Sequence, residues 1–369
     1  METEVKRQGS SIFKVPEGKA FIIAGPCSAE SESQVVQCAV ALSGLGSIHA
    51  LRAGIWKPRT RPGTFEGMGH LGLEWLKSAK AATGLPVAVE VANVKHVYEA
   101  LKTGVDILWI GARTTTNPFS VQEIADALKG VSISVLVKNP VNPDIDLWLG
   151  ALERLGHAGV TRLGAVHRGF SSYERSKYRN NPHWSIPLEL KRRQPDLPLL
   201  CDPSHICGTT DMIFDVSQRA MDLQFNGLMI ESHINPGQAL SDAAQQLLPA
   251  DVGRLLERLR FRTHRATGEA LGARLEELRD RIDSMDDQLI DILAKRMAAA
   301  EEIGRCKRDN NISIFQPARW DDIVRSRVKS GLERNLTEAF VLKLLEIIHQ
   351  ESIDHQAAVM HIDIGSADS

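Results

Sequence analysis

The feature that most constrains the fold is the regular alternation of short apolar segments with longer helical segments, which continues to about residue 260. Eight short segments are apolar almost throughout, as is typical of parallel strands that are buried on both faces. They are residues 20–25, 48–54, 86–91, 106–111, 133–138, 161–166, 197–202 and 227–232. Eight strand–helix units in a segment of this length predict an α/β fold of the closed (β/α)₈ type, a TIM barrel. A doubly wound sheet also alternates in this way, but nothing in that fold favours stopping at eight units.

The pattern changes beyond residue 260, where an all-α helical domain is predicted. Residues 271–308 contain no proline and are rich in strong helix formers. Apolar residues recur there at spacings of three and four, at Leu275, Leu278, Ile282, Met285, Leu289, Ile292 and Leu293. A helix of about 35 residues would be roughly 50 Å long. Because a small domain cannot bury so long an apolar stripe by itself, we expect a helical partner to cover it.

These patterns divide the chain into two predicted domains joined by a short linker. In chain order we expect the barrel at 1–262, the linker at 263–271 and the helical domain at 272–369. Two further helices are predicted near residues 317–330 and 337–358. Thr337 is suited to cap the N-terminus of the second of these helices.

Composition limits the classes of partner. The formal net charge of −2 gives no electrostatic reason to expect a nucleic acid or an anionic membrane surface as a partner. No run of about 18 apolar residues predicts a membrane span, and the N-terminal segment lacks the apolar core of a signal peptide. The five cysteines are scattered and odd in number, which argues against a disulfide framework. We therefore expect a cytoplasmic protein that acts on small molecules.

Basic residues cluster at the C-terminal ends of the predicted strands, which is where (β/α)₈ barrels carry their chemistry. They are Arg52, Lys57 and Arg59 in and after the second strand, Arg113 after the fourth, Lys138 ending the fifth and Arg168 after the sixth. A single basic residue in such a loop would be interpreted as a solvated surface charge. Several on successive strand ends indicate a site for polyanionic small molecules, because arginine and lysine bind carboxylates and phosphates.

A second group of residues at the same predicted face raises the question of a metal site. Cys27 follows the first strand, His205 follows the seventh, Glu231 lies in the eighth and Asp242 comes further along the chain. A thiolate, an imidazole and two carboxylates form a donor set suited to Mn²⁺, Fe²⁺, Co²⁺ or Zn²⁺. The alternative is that Cys27 is a buried apolar residue and that His205 caps a turn. Dispersed ligands have no local signature, so the residues alone leave both interpretations open.

Seven motifs at these strand ends resemble those of the 3-deoxy-D-arabino-heptulosonate 7-phosphate (DAHP) synthases of the type I-beta class. They are "GPCS", "RAGIWKPRT", "GART", "VKNP", "HRGF", "CDPSH" and "ESHINPGQALSD", and the resemblance covers about residues 15–260. It implies a condensation of phosphoenolpyruvate with erythrose 4-phosphate to DAHP and phosphate, the first step of the shikimate pathway. It also implies that Cys27, His205, Glu231 and Asp242 bind a divalent metal. Mn²⁺ is expected, with Fe²⁺, Co²⁺ and Zn²⁺ as alternatives.

The same resemblance assigns the basic residues to the substrates. Arg113 and Arg168 would bind the phosphate of phosphoenolpyruvate, and Arg52 and Lys57 would bind its carboxylate. Lys138 would lie near both groups, and Arg59 with Thr60 would bind the sugar phosphate. Lys57, Lys138 and His205 would also take part in catalysis. A sister family that makes 3-deoxy-D-manno-octulosonate 8-phosphate from arabinose 5-phosphate carries Asn-Arg-Ser where this chain has Pro-Arg-Thr. The motif therefore favours the four-carbon sugar.

The long C-terminal helix carries a candidate site of its own. Arg279, Arg296 and Lys307 lie along it beside the apolar stripe, where they could be no more than solvated charges. The segment "LEELRDRIDSMDDQLIDILAKRMAAAEEIGRCK", however, resembles the all-helical chorismate mutases, and the resemblance extends over about residues 272–358. It implies a rearrangement of chorismate to prephenate without a cofactor. It also implies a homo-oligomer, at least a dimer, in which the long first helices pair.

The resemblance to chorismate mutases gives roles to six residues. Arg296, together with Arg279 of the partner subunit, would bind the carboxylates of chorismate. Lys307 and Gln356 would bind its ether oxygen, and Arg319 and Ser352 would contact the substrate at two further positions. Rate enhancement would come from holding the reactive conformer and from stabilising the charge that develops on the ether oxygen.

Two departures from the family pattern leave an alternative open for the helical domain. Gln316 and Trp320 stand where the best-known chorismate mutases carry acidic residues near the substrate hydroxyl. The helical domain would then be only a module that senses chorismate or prephenate and regulates the barrel. In the bifunctional interpretation as well, we expect prephenate bound to the helical domain to inhibit the synthase.

Overall fold

A computed structural model of the chain describes residues 13, 15, 18–57, 63, 65–173, 176–262 and 268–361. Arg59 and Thr60, the predicted ligands of the sugar phosphate, lie outside the described residues. The chain divides into two compact units, residues 1–264 and residues 265–369. Each unit is therefore described by itself.

In the described part of the first unit, eight parallel strands pair in chain order and close into a barrel. They are β1 (Phe21–Gly25), β2 (Ala50–Arg52), β3 (Val87–Val91), β4 (Ile107–Ile110), β5 (Ser134–Lys138), β6 (Arg162–His167), β7 (Leu199–Cys201) and β8 (Gly227–Glu231). Closure is made by β8 against β1, which places Gly25 opposite Glu231. The (β/α)₈ prediction is confirmed. The second strand is shorter than the predicted 48–54, because the chain leaves the sheet after Arg52 and Gly54 N donates instead to Cys27 O at 3.1 Å.

Helices follow the strands around the barrel. They are α1 (Glu32–Ser43), α2 (His70–Thr83), α3 (Val94–Lys102), α4 (Ala112–Thr115), α5 (Pro118–Ala127), α6 (Ile145–His157), α7 (Ser185–Arg193), α8 (Pro203–Cys207), α9 (Ile213–Asp222) and α10 (Pro249–Arg258). Side-chain N-caps start several of them, as Ser31 does for α1, Asn93 for α3 and Asp144 for α6. The short helices α4 and α8 begin directly after β4 and β7, so they lie at the C-terminal face of the barrel.

Strand alternation produces two separate apolar cores. Side chains that point out of the barrel pack against the helices and form the larger core. Side chains that point inward form a smaller core inside the barrel: Phe13, Phe21, Ile23, Ala50, Ala88, Ile107, Trp109, Leu136, Val166, Leu200 and Met229. Phe13 precedes β1 in the chain, and its ring lies edge-on to that of Phe21 with centroids 5.3 Å apart.

The same alternation places charged residues at the C-terminal end of the barrel interior. Side chains two positions apart on a strand share one face. The residues two positions beyond the inward-facing Ala50, Ala88, Leu136, Leu200 and Met229 are Arg52, Glu90, Lys138, Asp202 and Glu231. The barrel interior therefore changes from apolar to charged towards its C-terminal face, which we call the barrel mouth and define by these five residues.

The second unit consists of three helices, α11 (Glu269–Asp309), α12 (Pro317–Leu332) and α13 (Glu338–His361), in the part of it that the structure describes. The predicted helices are confirmed, and Thr337 Oγ1 accepts a hydrogen bond from Phe340 N at 3.4 Å, as expected for a cap. Because Glu269, Ala270 and Leu271 are strong helix formers, α11 begins inside the segment predicted as the linker.

Close packing of α11 and α13 depends on Gly304. A Cβ at this position would lie 2.6 Å from Val359 Cγ2 and 3.0 Å from Gln356 Cα. The apolar stripe of α11 remains largely exposed in the chain, at Leu275, Leu278, Ile282, Met285, Leu289 and Ile292. Within the described residues, none of the helices combines the length and the apolar character that crossing a membrane requires.

Candidate active sites

Two buried ion pairs span the barrel mouth. Arg52 Nη2 lies 3.0 Å from Glu231 Oε1, and Lys138 Nζ lies 2.7 Å from Asp202 Oδ2. All four side chains are almost completely buried. An isolated charge at this depth would carry a large desolvation cost, and the pairing offsets it.

Trp109 separates these charges from the apolar interior of the barrel. Its ring centroid lies 4.9 Å from Arg52 Cζ and 5.7 Å from Lys138 Nζ, distances at which the face of an indole attracts cations. Its Nε1 donates to Glu90 Oε2 at 2.9 Å. Trp109 therefore forms the floor of the mouth and orients both cations and Glu90.

The ion pairs keep the mouth carboxylates ionised. Burial raises the pKa of Asp202, but attraction from His205 and Lys138 outweighs it and holds this pKa well below its usual range. Burial likewise raises the pKa of Glu231, and attraction from His205 and Arg52 brings it below its ordinary value. Both groups are carboxylates at neutral pH.

Arg168 enters the mouth from the loop after β6. Its backbone N donates to Asn139 Oδ1 at 2.7 Å, and its Nη1 donates to Asn180 Oδ1 at 2.6 Å. Burial lowers the pKa of Arg168 to about 10, with repulsion from Arg179 and Arg113 acting in the same direction. Arg168, Arg113 and Arg179 therefore concentrate positive charge in this part of the barrel. The phosphate site predicted at Arg113 and Arg168 stays a prediction.

Three of the four predicted metal ligands come together. One ligand atom from each of Cys27, Glu231 and Asp242 lies within 4.8 Å of the other two. Cys27 Sγ is 3.4 Å from Asp242 Oδ2. His205 does not belong to this cluster, but its Nε2 faces it at 3.7 Å from Glu231 Oε1. Its Nδ1 lies 2.8 Å from Asp202 Oδ2 without the angles of a good hydrogen bond. Metal-binding histidines commonly direct their second nitrogen towards a carboxylate in this way.

The chemistry of this cluster fits a divalent cation. Burial, with the charge of Glu231, raises the pKa of the Cys27 thiol to about 12, even though Lys57 Nζ donates to Cys27 Sγ at 2.9 Å. Glu231 Oε1 is buried and, within the part of the chain that the structure describes, lacks a hydrogen bond of good geometry, although Arg52 Nη2 is close. A thiol, an imidazole and two carboxylates that converge in this way match the ligand preferences of borderline metals.

Two residues of the barrel mouth were not singled out from the sequence. Glu90 lies on the third strand, for which no site residue was predicted, and Asp202 joins Lys138 to His205. The alternation of side chains along a strand could have identified them, because each lies two positions beyond a residue of the inner core and so faces the barrel interior. His167, by contrast, points outward into an aromatic cluster with Phe170 and Trp184.

The helical unit brings four predicted residues together between α11 and α13. Arg296 Nη1 donates to Ser352 Oγ and, at 3.5 Å, to Ile348 O. Lys307 Nζ donates to Gln356 Oε1 at 3.1 Å. Burial lowers the pKa of both Arg296 and Lys307. The result is a pair of cations, each held by a polar side chain of the facing helix.

His349 was not predicted and lies next to this group. Its ring stacks on Trp320 with centroids 4.1 Å apart, and its buried Nε2 has no hydrogen-bond partner among the described residues. Burial lowers the pKa of His349, and repulsion from Arg296 and Lys307 adds to the effect. His349 therefore forms an aromatic pair with Trp320, one of the two residues that depart from the family pattern.

Arg279 and Arg319 are not among the residues that these contacts bring together. Arg279 is exposed and pairs with Glu276 on its own helix. It precedes Arg296 by 17 residues on α11, which corresponds to about 25 Å along the helix axis. Arg319 is exposed in the first turn of α12, after Gln316. The predicted role of Arg279 in a partner's site stays a prediction.

Fold and geometry together define a (β/α)₈-barrel enzyme with a charged mouth suited to anionic substrates and to a divalent metal. Comparison with known proteins identifies the family. A model described as the DAHP synthetase I family matches residues 3–264, and the chain belongs to this family. A model described as chorismate mutase type II matches residues 278–357. The chain thus carries a DAHP synthase domain, a transferase, and a chorismate mutase domain, an isomerase.

Individual relatives agree with this division. The chain is 32% identical over 234 residues to phospho-2-dehydro-3-deoxyheptonate aldolase of Thermotoga maritima, which covers 63% of this chain and 67% of the relative. A crystal structure of the DAHP synthase from Thermotoga maritima matches with a TM-score of 0.59 and 32% identity, covering 65% of this chain and 68% of that chain. A 2-dehydro-3-deoxyphosphooctonate aldolase of Variovorax paradoxus is 29% identical over 262 residues, which is 65% of this chain and 88% of the relative. The T-protein of Enterobacter agglomerans is 34% identical over 80 residues, 22% of this chain and 21% of the relative.

Removal of one charge from an ion pair of the barrel mouth tests whether these buried pairs stabilise the barrel. In Asp202→Asn the side-chain oxygen that caps α8 is retained, but the ammonium of Lys138 loses its buried counter-charge. We expect the free energy of unfolding of the barrel, measured by urea denaturation, to fall by about 3–5 kcal/mol. The control is Asp126→Asn, which breaks an exposed pair with Lys129 and should lower the free energy of unfolding far less. Equal, small losses in both variants would contradict the charge-pairing account.

Proposed function

We propose that the barrel unit condenses phosphoenolpyruvate with erythrose 4-phosphate to DAHP and phosphate, with the help of a divalent metal. The observation that carries the proposal is the barrel mouth itself, in which basic side chains surround the cluster of Cys27, Glu231 and Asp242. Phosphoenolpyruvate carries a phosphate and a carboxylate, so an anionic substrate of this kind suits a site of fixed cations.

The substrate would be oriented by residues already held in place. Its phosphate would lie at Arg168 and Arg113, whose mutual repulsion an anion relieves. Its carboxylate would lie at Arg52 and Lys57, with Lys138 near both groups. Because Arg52 and Lys138 are fixed by ion pairs and by the face of Trp109, little reorganisation is needed when the substrate binds.

Cys27, His205, Glu231 and Asp242 would hold the metal, for which we propose Mn²⁺, with Fe²⁺, Co²⁺ or Zn²⁺ as alternatives. A bound metal would supply Lewis-acid polarisation of the sugar aldehyde. The chain's own residues would align the two reactants. The cations of the mouth would fix phosphoenolpyruvate, and Asp202, whose Oδ2 lies 2.8 Å from His205 Nδ1, would orient the His205 ring. Carbon 3 of phosphoenolpyruvate would then bond to the aldehyde carbon, water would add at carbon 2 and phosphate would leave.

The sugar phosphate is proposed to be bound by Arg59 and Thr60 of the Pro-Arg-Thr motif. This motif favours erythrose 4-phosphate over arabinose 5-phosphate, the substrate of the sister family that carries Asn-Arg-Ser. The relatives in the comparisons include both a heptonate and an octonate aldolase, with similar identities of 32% and 29%. The choice of sugar therefore rests on the motif rather than on overall identity.

An assay of phosphoenolpyruvate consumption tests the synthase proposal. The Mn²⁺-loaded protein should consume phosphoenolpyruvate with erythrose 4-phosphate and far more slowly with arabinose 5-phosphate. Arg113→Leu removes one charged ligand of the phosphate, so kcat/KM for phosphoenolpyruvate should fall about 10- to 100-fold. Arg154→Leu, which changes an arginine on the surface of α6, should leave it unchanged. A lack of consumption with either sugar, or an unaffected Arg113→Leu variant, would refute the assignment.

For the helical unit we propose the rearrangement of chorismate to prephenate. Chorismate carries two carboxylates, and the reaction is unimolecular, so it needs positioned cations rather than a nucleophile. Arg296, held by Ser352, and Lys307, held by Gln356, supply such cations between α11 and α13. Arg319 would add a further charge. Trp320 and His349 would face the ring hydroxyl in place of acidic residues.

The mutase is proposed to work as a dimer. The exposed apolar stripe of α11 needs a cover of similar length, and the α11 helix of a second copy has that length. Pairing of the two helices would also explain the place of Arg279 far from Arg296 on the same helix. Arg279 of the partner subunit would then complete the carboxylate site.

Chorismate depletion separates catalysis from mere sensing. Lys307→Ala removes the charge expected at the ether oxygen and should lower kcat by about 10²–10³-fold. Lys343→Ala, which changes an exposed lysine on α13, should have no effect. Negligible depletion by the unchanged protein, together with tight binding of prephenate, would favour the alternative that the domain is only a sensor.

We also propose that prephenate bound to the helical unit inhibits the synthase. The support is the presence of both domains in one chain, whose first reaction feeds the pathway that yields the product of the second. Prephenate should lower the rate of phosphoenolpyruvate consumption. Arg296→Ala, which weakens carboxylate binding in the helical unit only, should abolish the inhibition without changing the uninhibited rate. Inhibition that persists in this variant, or that is absent in the unchanged protein, would refute the coupling.

A further inference from the structure

Two consecutive glutamines, Gln245 and Gln246, are buried beside the candidate metal ligands. Their side chains are 0% and 2% exposed, although neither residue carries a charge that would bind a substrate. A buried primary amide is costly unless its oxygen and nitrogen are both hydrogen-bonded. The partners of these two amides therefore indicate what the amides do.

Gln245 connects two of the carboxylates of the cluster. Its Nε2 donates to Glu231 Oε2 at 2.7 Å, and its Oε1 accepts from Arg179 Nη1 at 2.8 Å. The same Nη1 lies 2.9 Å from Asp242 Oδ1. Because a guanidinium only donates and a carboxylate only accepts, the orientation of the Gln245 amide is fixed from both sides.

Gln246 connects the third ligand to the same segment. Its Oε1 accepts from the backbone N of Cys27 at 2.9 Å, and its Nε2 donates to Ser241 O at 2.9 Å. Ser241 Oγ also lies 2.5 Å from Ser28 Oγ. The segment after β1, which carries Cys27, is thus joined to Ser241, the residue before Asp242.

Backbone hydrogen bonds hold the segment of Gln245 and Gln246 next to the end of β8. Leu247 N donates to Glu231 O at 3.0 Å and His233 N donates to Leu247 O at 2.9 Å, so the segment after Gln246 runs beside the end of β8. Asp242 itself has φ 44° and ψ 41°, a left-handed conformation that is unfavourable for a non-glycine residue. Such a conformation persists only where surrounding contacts hold it. Asp242 is held by the ion pair of its carboxylate with Arg179 at 2.9 Å and by its carbonyl oxygen, which accepts from Gln245 N at 3.2 Å.

We propose that Gln245 and Gln246 are positioning residues that set the spacing of Cys27, Glu231 and Asp242 for the metal. This inference rests on the proposed metal dependence of the synthase and extends it to residues that bind neither metal nor substrate. Gln245 fixes the two carboxylates relative to each other, and Gln246 fixes the thiol relative to Asp242. Partners of this kind change metal affinity by about 10- to 100-fold when they are removed.

The test measures metal binding rather than turnover. The full chain is stripped of metal and titrated with Mn²⁺ by calorimetry, and Co²⁺ is added separately to record the thiolate-to-cobalt charge-transfer absorption. Gln245→Leu and Gln246→Leu should each raise the Kd for Mn²⁺ about 10- to 100-fold and alter the cobalt absorption. The control Asn226→Leu removes an amide that bonds Leu199 N at the opposite end of the barrel, and it should leave both readouts unchanged.

The outcomes separate this proposal from the proposed function. If the unchanged protein binds no Mn²⁺, the metal site and the positioning role fail together. If it binds Mn²⁺ and the folded glutamine variants bind it equally well, the positioning role alone fails.

Should neither variant fold, Arg179→Met decides, because Arg179 is half-exposed and its loss frees Gln245 Oε1. Loss of a cation beside the site would by charge alone tighten Mn²⁺ binding. Weaker binding therefore supports the positioning role, and tighter or unchanged binding overturns it.

Discussion

The barrel mouth depends on the pairing of opposite charges that are buried next to one another. Arg52 with Glu231 and Lys138 with Asp202 place four charges where an isolated one would cost several kcal/mol. Trp109 lies beneath the two cations and closes the mouth against the apolar interior. Because each of these charges already faces an opposite charge, the side chains are held in place before any substrate binds. The binding energy of the substrate is then available for orientation instead of for ordering side chains.

The same pairing sets the charge states of the side chains in the candidate metal site. Glu231 accepts from Gln245 with one oxygen and faces Arg52 and His205 with the other, so it belongs at once to the charge layer and to the cluster. Cys27 stays a neutral thiol at neutral pH in such surroundings, since burial and the charge of Glu231 raise its pKa to about 12. A divalent cation would reverse this balance by attracting the thiolate. In the proposed reaction, synthase chemistry and barrel stability would therefore depend on one set of contacts.

The sequence was sufficient to predict the barrel, because eight apolar segments of strand length with helices between them have few other solutions. Residues that the structure places at the barrel mouth or in the candidate metal cluster were predictable where a motif carried them, as with Lys138 and Cys27. Glu90, Asp202 and Gln245 were missed, since each acts through partners that lie far away in sequence. Their positions follow from strand parity and from contacts that only a folded barrel creates. In the helical unit the missed residue, His349, is likewise placed by stacking on another helix.

The central claim is that one mouth holds both the metal and phosphoenolpyruvate. The most direct measurement is a crystal structure of the chain with Mn²⁺ and phosphoenolpyruvate, with manganese located by its anomalous scattering. We expect manganese within bonding distance of Cys27, Glu231 and Asp242, with His205 turned towards it. We expect the phosphate of the substrate between the guanidinium groups of Arg113 and Arg168. Manganese bound away from Cys27, or phosphoenolpyruvate outside the barrel mouth, would contradict the account.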